Sequence, residues 1–325
     1  MAQGHTQLKV DEAGPVVWAR FYNPPEHLFT LEMTIEVENL IRRCERGGRT
    51  RVIVFSGSEP GWFVEHYDAS QILAAASRFA DLGLGSPPVG PVMAMARALD
   101  WLIDLFPAAG DALSLMMSKG LLSGLAQLVR FTRLLERMER SPLILIAAIS
   151  GNCMGGACEF ALACDFRFCL DDEEIMIGHP ESLVAMPPAG GGCQRLSRAI
   201  GIGRAAAMII DGRPVPAPEA HLIGLVHELL PASGFEGAVT AHALRLSSRS
   251  PLANRTIKDL LYRGTRLPYR KAFALEKEAV LRTSATKDAV DGLTVYTRGT
   301  LPDREAEIQR RMDLYEGRLI KFSGS

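Results

Sequence analysis

The sequence predicts an α/β protein in which buried parallel strands alternate with helices, followed by an all-helical tail. Three observations lead there. Near-continuously apolar strand formers run through residues 15–21, 51–57 and 143–149. Runs of that kind fit strands buried on both faces, as in a parallel sheet under helical layers. Segments of helical period separate them, and beyond about residue 235 only the helical period remains.

Taken in order, residues 15–21 read as the first strand and 30–46 as a helix. In that helix Met33, Val37, Leu40, Ile41 and Cys44 form one apolar stripe at helical spacing. Residues 51–57 give the next strand. The run Leu143, Ile144, Leu145, Ile146 opens another, which ends in a glycine turn, a helix from about 156 and a strand at 165–170. Helical segments near 235–248, 253–263, 270–292 and 303–319 follow. The expected organisation is a core over 1–235, with a helical insertion at about 75–130, and a helical region over 236–325.

The insertion centres on 82–128, which is rich in methionine and sparsely charged. Glycine and proline punctuate it into two or three short helices. An extra packed helical hairpin is the first expectation. A mobile cover over an apolar pocket is the functional alternative. A membrane-surface helix ranks last, because basic residues are too few for the usual interfacial pattern.

Bulk properties exclude several classes. At 325 residues the chain holds one large domain or two modest ones. A formal charge of −1 gives no general basic field for nucleic acid. Six cysteines without paired spacing favour reduced thiols and a cytoplasmic setting. The first residues lack a basic-then-apolar leader pattern, and no apolar run is long enough for a spanning helix.

The chemistry concentrates in AISGNCMGGACEFALACD, residues 148–165. Gly155 and Gly156 allow a tight turn and close approach of the backbone to a ligand. The first amides of the following helix lack intrahelical partners and sit at the positive end of its dipole. That arrangement suits an oxygen that becomes negative during a reaction. Glu159, one turn on in otherwise apolar company, stands where proton transfer to such a centre is possible. By itself it reads equally as a first-turn glutamate facing free amides.

This segment resembles the signature of the crotonase (enoyl-CoA hydratase/isomerase) superfamily, and four further blocks keep the family's order. FYNPP (21–25) is similar to its early Asn-x-Pro turn, and VIVFSGSEPGWFVEHYD (52–68) to its first oxyanion strand and loop. IGHPES (177–182) and PPAGGGCQRLSRAIG (187–201) follow, then GRPVPAPEAHLIGLVHELL (212–230). The resemblance implies a spiral of ββα repeats with a C-terminal helical trimerisation region, hence a homotrimer or homohexamer. It also implies an acyl-CoA substrate, with coenzyme A entering as part of that substrate and no separate cofactor.

Residue by residue, the resemblance makes Glu159 the glutamate that holds and activates water. Glu181 aligns with the second catalytic glutamate, although a glutamate after a proline is also a common helix-start residue. Two buried carboxyls near one water would shift each other's proton affinities, as acid/base work requires. Relatives that isomerise, decarboxylate or dehalogenate often keep only one acid. The oxyanion hole would be the backbone amides of Tyr67 and Gly156. Phe63, Glu65, His66, Asp68, Gly155, Ala189 and Gly190 would contact substrate, with coenzyme A along 65–68 and the 23–28 turn.

One departure stands out: His66 occupies a position where the family usually has glycine. The loss of glycine bears on the loop's backbone angles. The histidine itself is expected to be packed and hydrogen-bonded, with a local acid/base role as the alternative. Residues 189–192 suggest close backbone approach; without GK[ST] or GxGxxG, nucleotide readings are weak. Cys153, Cys158, Cys164 and Cys169 lack metal-site spacing and read as buried thiols, so no metal is expected. The fold leaves the reaction open between hydration, double-bond isomerisation, retro-aldol cleavage and thioester hydrolysis. A non-catalytic binding protein is the reading from another class. The acyl group is open too, the apolar insertion hinting at a bulky chain.

Overall fold

The computed structural model describes residues 7–70, 73–74, 77, 81, 88–117, 123–297 and 304–324. In chain order the elements are β1 (Leu8–Ala13), β2 (Val16–Phe21), α1 (Leu31–Gly47) and β3 (Val52–Gly57). The insertion contributes α2 (Val89–Leu105), α3 (Pro107–Met117) and α4 (Ser123–Arg140). Next come β4 (Ile144–Ile149), β5 (Cys153–Met154), α5 (Gly156–Ala163), β6 (Phe166–Leu170) and β7 (Met176–Gly178). They are followed by α6 (Gly192–Ile200), α7 (Ile202–Asp211), β8 (Val215–Pro216), α8 (Ala217–Leu222) and β9 (Glu228–Leu230). The remaining helices are α9 (Phe235–Ser247), α10 (Pro251–Tyr262), α11 (Tyr269–Ser284), α12 (Lys287–Thr297) and α13 (Arg304–Tyr315).

The main sheet runs β1-β2-β3-β4-β6-β9, antiparallel only between β1 and β2. A second sheet, β5-β7-β8, is built from strands of two or three residues. The chain steps from the main sheet to the small one and back, through β4-β5-α5 and then β6-β7. These are ββα turns of a spiral.

Both faces of the inner strands are covered, which is why β2, β3 and β4 are almost wholly apolar. One face puts Val17, Ala19, Phe21, Ile53, Phe55, Leu145 and Ala147 under α1, α4 and α5. Alternate residues Val16, Trp18, Val52, Val54, Ile144 and Ile146 point the other way, against Phe235, Val239 and Ala243 of α9. The expected boundary at 235/236 falls at the start of α9, a helix that packs on the sheet. The single helix expected at 270–292 is two, α11 and α12, parted at Ala285 and Thr286.

The insertion's described part is a set of packed helices, with residues 82–87 and 118–122 outside the described residues. Ala96, Leu99 and Ile103 of α2 pack on Leu125 and Val129 of α4. Gly110 lets α3 close on α2, since a Cβ there would meet Ile103 Cγ1 at 2.6 Å. Arg130 of α4, fully buried, ties α3 and α1 together. Its Nε donates to Ser114 Oγ at 2.7 Å, its Nη2 to Asp111 Oδ1 at 2.6 Å and its Nη1 to Glu38 Oε2 at 3.2 Å. Among the described residues, no helix is long and apolar enough to cross a membrane.

Candidate active site

The site lies where β3, β5 and β7 end and α5 and α6 begin. The loop after β3 runs beside the 23–29 turn and is zipped to it. Glu65 N donates to the His27 carbonyl at 2.9 Å, Phe29 N to the His66 carbonyl at 2.8 Å and Asp68 N to the Phe29 carbonyl at 3.0 Å. In this parallel bridge between Phe29 and Tyr67, the ladder uses the main chain of His66 and Asp68. The N–H of Tyr67 therefore faces away from it. Glu65 also accepts from Met154 N at 2.8 Å, which draws the loop onto β5.

The turn from β5 into α5 depends on glycine. Gly155 has φ 53° and ψ −124°, and its N–H donates to the Gly178 carbonyl at 2.8 Å. Gly156 then starts α5 directly beneath Tyr67, since a Cβ on Gly156 would lie 2.7 Å from the Tyr67 Cβ. Residues 67 and 156 are thus in contact. Tyr67 N faces off its ladder and Gly156 N belongs to the unsatisfied first turn of α5.

Phe160 anchors α5 in the core, with ring centroids 5.0 Å from Phe55 and 5.5 Å from Phe21. The preceding side chain, Glu159, is buried, and its Oε1 accepts from Gly192 N at 2.8 Å. Burial pushes this carboxyl above the usual glutamate range, against the Gly192 hydrogen bond and the nearby His179, which favour the charge.

Glu181 arrives in a 3₁₀ turn (Glu181–Val184) after β7. Its Oε1 lies 3.4 Å from the position a Gly155 Cβ would take and 3.4 Å from Nδ1 of His179. Its Oε2 is buried with no hydrogen-bond partner among the described residues. His179 is wholly buried between the two acids. A Cβ on Gly192 would meet His179 Cε1 at 2.7 Å and Glu159 Oε1 at 3.0 Å. Burial disfavours the imidazolium, but Cys158 and Glu181 outweigh burial and hold the His179 pKa above its ordinary value.

Four residues outside the expected set therefore belong here. Gly192 holds Glu159, and His179 contacts Glu181 while lying close to Glu159. Arg195 secures the loop by donating to the Gly190 carbonyl while its Nε binds Glu139 Oε1 at 2.8 Å. Phe131 of α4 is the wall: its ring centroid is 4.7 Å from that of Tyr67, and its Cε1 is 2.7 Å from where a Gly190 Cβ would stand. IGHPES and the 189–192 glycines carried the signal for the first two. Nothing local in the sequence singled out Phe131.

Of the expected substrate contacts, Gly155 and Gly190 line this site, while Ala189 is exposed beside it. Glu65 and Asp68 lie on the zipped loop, where Asp68 Oδ1 caps Ser70 N at 2.9 Å. Phe63 is corrected: it is buried in the core, 5.6 Å from the Phe21 ring centroid. His66 is corrected too. It is exposed rather than packed, with Nδ1 3.0 Å from the Tyr67 carbonyl. Its φ is not positive, so the loop does not need the glycine usual there. Cys153, Cys158, Cys164 and Cys169 are buried thiols. No cluster suited to a metal occurs among the described residues. A cavity of about 820 Å³ lies elsewhere, between α4, α10 and α11.

The chain is similar to known proteins. Residues 104–303, more than half of the chain, match the family described as Enoyl-CoA hydratase/isomerase. The chain is 36% identical to YngF of Bacillus subtilis over 159 residues, 49% of this chain and 60% of that protein. It is 31% identical to the short-chain-enoyl-CoA hydratase of Clostridium acetobutylicum over 188 residues, 58% of this chain and 71% of the relative. A crystal structure of an enoyl-CoA hydratase from Bacillus anthracis superposes with a TM-score of 0.71 at 24% identity, covering 98% of this chain and all of that one. At that identity the likeness carries the fold alone.

Proposed function

Because the chain belongs to the enoyl-CoA hydratase/isomerase family, we propose that it adds water across the double bond of a 2-enoyl-CoA thioester. The observation that carries this reading is the pair of acids, Glu159 and Glu181, gathered around His179 beside the Tyr67–Gly156 contact. Isomerisation needs a single group to move one proton between carbons. Hydration needs a base for water and an acid for carbon, and two carboxyls supply both.

In this reading the thioester oxygen sits at the N–H groups of Tyr67 and Gly156. Glu159, held by Gly192, takes a proton from water as its oxygen bonds to the β-carbon. The double-bond electrons move onto the thioester oxygen as an enolate, which the two N–H groups stabilise. The enolate collapses by taking a proton from Glu181 at the α-carbon. The carboxyls then exchange one proton through solvent and return to their starting states. Coenzyme A arrives as part of the substrate, along the 23–28 and 65–68 loops. The exposed apolar side chains of α10 to α13, among them Leu261, Leu281 and Tyr296, support a homotrimer or its dimer.

The test follows the ultraviolet absorbance of the enoyl thioester with wild type, E159Q and E181Q. Each substitution is expected to lower kcat by about a hundredfold or more, while the Kd for a saturated acyl-CoA changes little. Wild-type turnover retained by E159Q refutes the assignment.

A further inference from the structure

We infer that Gln127 reads an uncharged hydrogen-bonding group on the acyl chain, so that the preferred substrate carries a hydroxyl or keto oxygen beyond its double bond. The inference rests on the acyl-CoA reading above and names the class of acyl group.

Gln127 is 1% exposed, and both its Oε1 and its Nε2 are buried with no hydrogen-bond partner among the described residues. Buried side-chain amides are ordinarily paired, since an unmade hydrogen bond in a dry site is costly. Its place in the fold says what it faces. Phe131 lies four residues on, on the same face of α4, where its ring meets Tyr67, Gly156 and Gly190. Gln127 therefore stands four residues, about 6 Å, further from the acids along the wall that Phe131 begins. Helical side chains lean toward the N-terminus, which carries the amide farther along that wall. An acyl chain running from the thioester past Phe131 reaches it next.

The charges of α4 argue for an uncharged partner. Arg130 spends all three nitrogens on Ser114, Asp111 and Glu38. Arg133 pairs with Glu38 and Asp104, Arg137 with Glu45 and Arg140 with Glu136. A carboxylate buried at Gln127 would find every arginine of this helix already engaged. An amide offers one acceptor and two donors, which suit a hydroxyl through either end and a keto oxygen through Nε2.

The experiment compares three straight-chain 2-enoyl-CoAs of equal length: unsubstituted, ω-hydroxy and ω-carboxy. It is run at several chain lengths with the full-length wild type, Q127L and Q127N. Wild type is expected to favour the hydroxy substrate in kcat/KM by about tenfold over the unsubstituted one, with the carboxylate poorest. Q127L should erase that preference, and Q127N, whose amide is drawn back by one carbon, should lose most of it. No preference in wild type, or equal losses on all three substrates in Q127L, overturns the proposal. Calorimetric Kd values for the saturated, unreactive analogues separate the two readings. Ordered affinities without turnover overturn only the hydratase assignment, whereas equal affinities overturn the role of Gln127.

Discussion

The backbone N–H of Gly192 donates to Oε1 of Glu159 at 2.8 Å, so an acid on α5 is held by the first residue of α6. The grip requires that the intervening turn have no side chains. A Cβ on Gly190 would stand 2.5 Å from Glu159 Oε2 and 2.7 Å from Phe131 Cε1. Neither neighbour can yield without moving the acid or the wall. G190A is therefore expected to lower kcat by about a hundredfold through misplacement of the carboxylate. Its melting temperature should fall only modestly. Steady-state kinetics beside a thermal melt check this; unchanged kcat would mean the loop is slack.

Glu159 also sets a tension between activity and stability. Burial raises its pKa above the ordinary 4.5, so the folded protein holds the proton more tightly than the unfolded chain does. A group raised in this way stabilises the fold below its unfolded value, and that stability is lost as pH rises through the folded value. Above the folded value wild type carries the penalised charge, and E159Q does not. E159Q is expected to melt higher than wild type once the pH exceeds that folded value, with the difference closing below about pH 4.5. Melting curves across that range measure it, and a constant offset would contradict the account.

Much of this arrangement was legible in the sequence. The strands at β2, β3, β4 and β6 showed because burial on two faces leaves few polar positions. The turn at 155–156 showed because glycine alone adopts the backbone angles of residue 155 readily. What escaped were relationships between distant segments. The period of α9 declares a helix but does not say that Phe235, Val239 and Ala243 close the far side of the sheet. The edge strand β1, Leu8–Ala13, is largely polar and gains its order from pairing with β2. Phe63 and His66, three residues apart on one loop, exchanged their expected surroundings because loops carry no period. Gln127 looks like any helix glutamine until burial on its face is known.

His179 sits among Cys158, Glu159 and Glu181, and its charge favours the ionised form of Glu159. Removing that charge while keeping a hydrogen-bonding side chain should push Glu159 higher still. The acid limb of kcat/KM, which follows ionisation of the base, is then expected to move to higher pH in H179Q. Activity lost on the acid side should be partly recovered at higher pH. A uniform loss at all pH values would reduce His179 to a packing role.

The contact between Gly156 and Tyr67 gives the sharpest test of the proposed oxyanion site. A Cβ on Gly156 would fall 2.7 Å from the Tyr67 Cβ, 3.4 Å from its Cγ and 3.5 Å from Phe131 Cζ. The tyrosine is pinned on the other side by Phe29, 6.1 Å between ring centroids. A new methyl must therefore pry the 67 loop from the start of α5. Both N–H groups would remain, but they would no longer meet at one oxygen. Removing one such donor typically lowers kcat by roughly a hundred- to a thousandfold, and G156A should fall in that range. Ground-state binding uses the oxygen far less, so the Kd of a saturated acyl-CoA should rise only a few-fold. If binding and turnover drop together, Gly156 shapes the entrance and the charge on the thioester oxygen is met elsewhere.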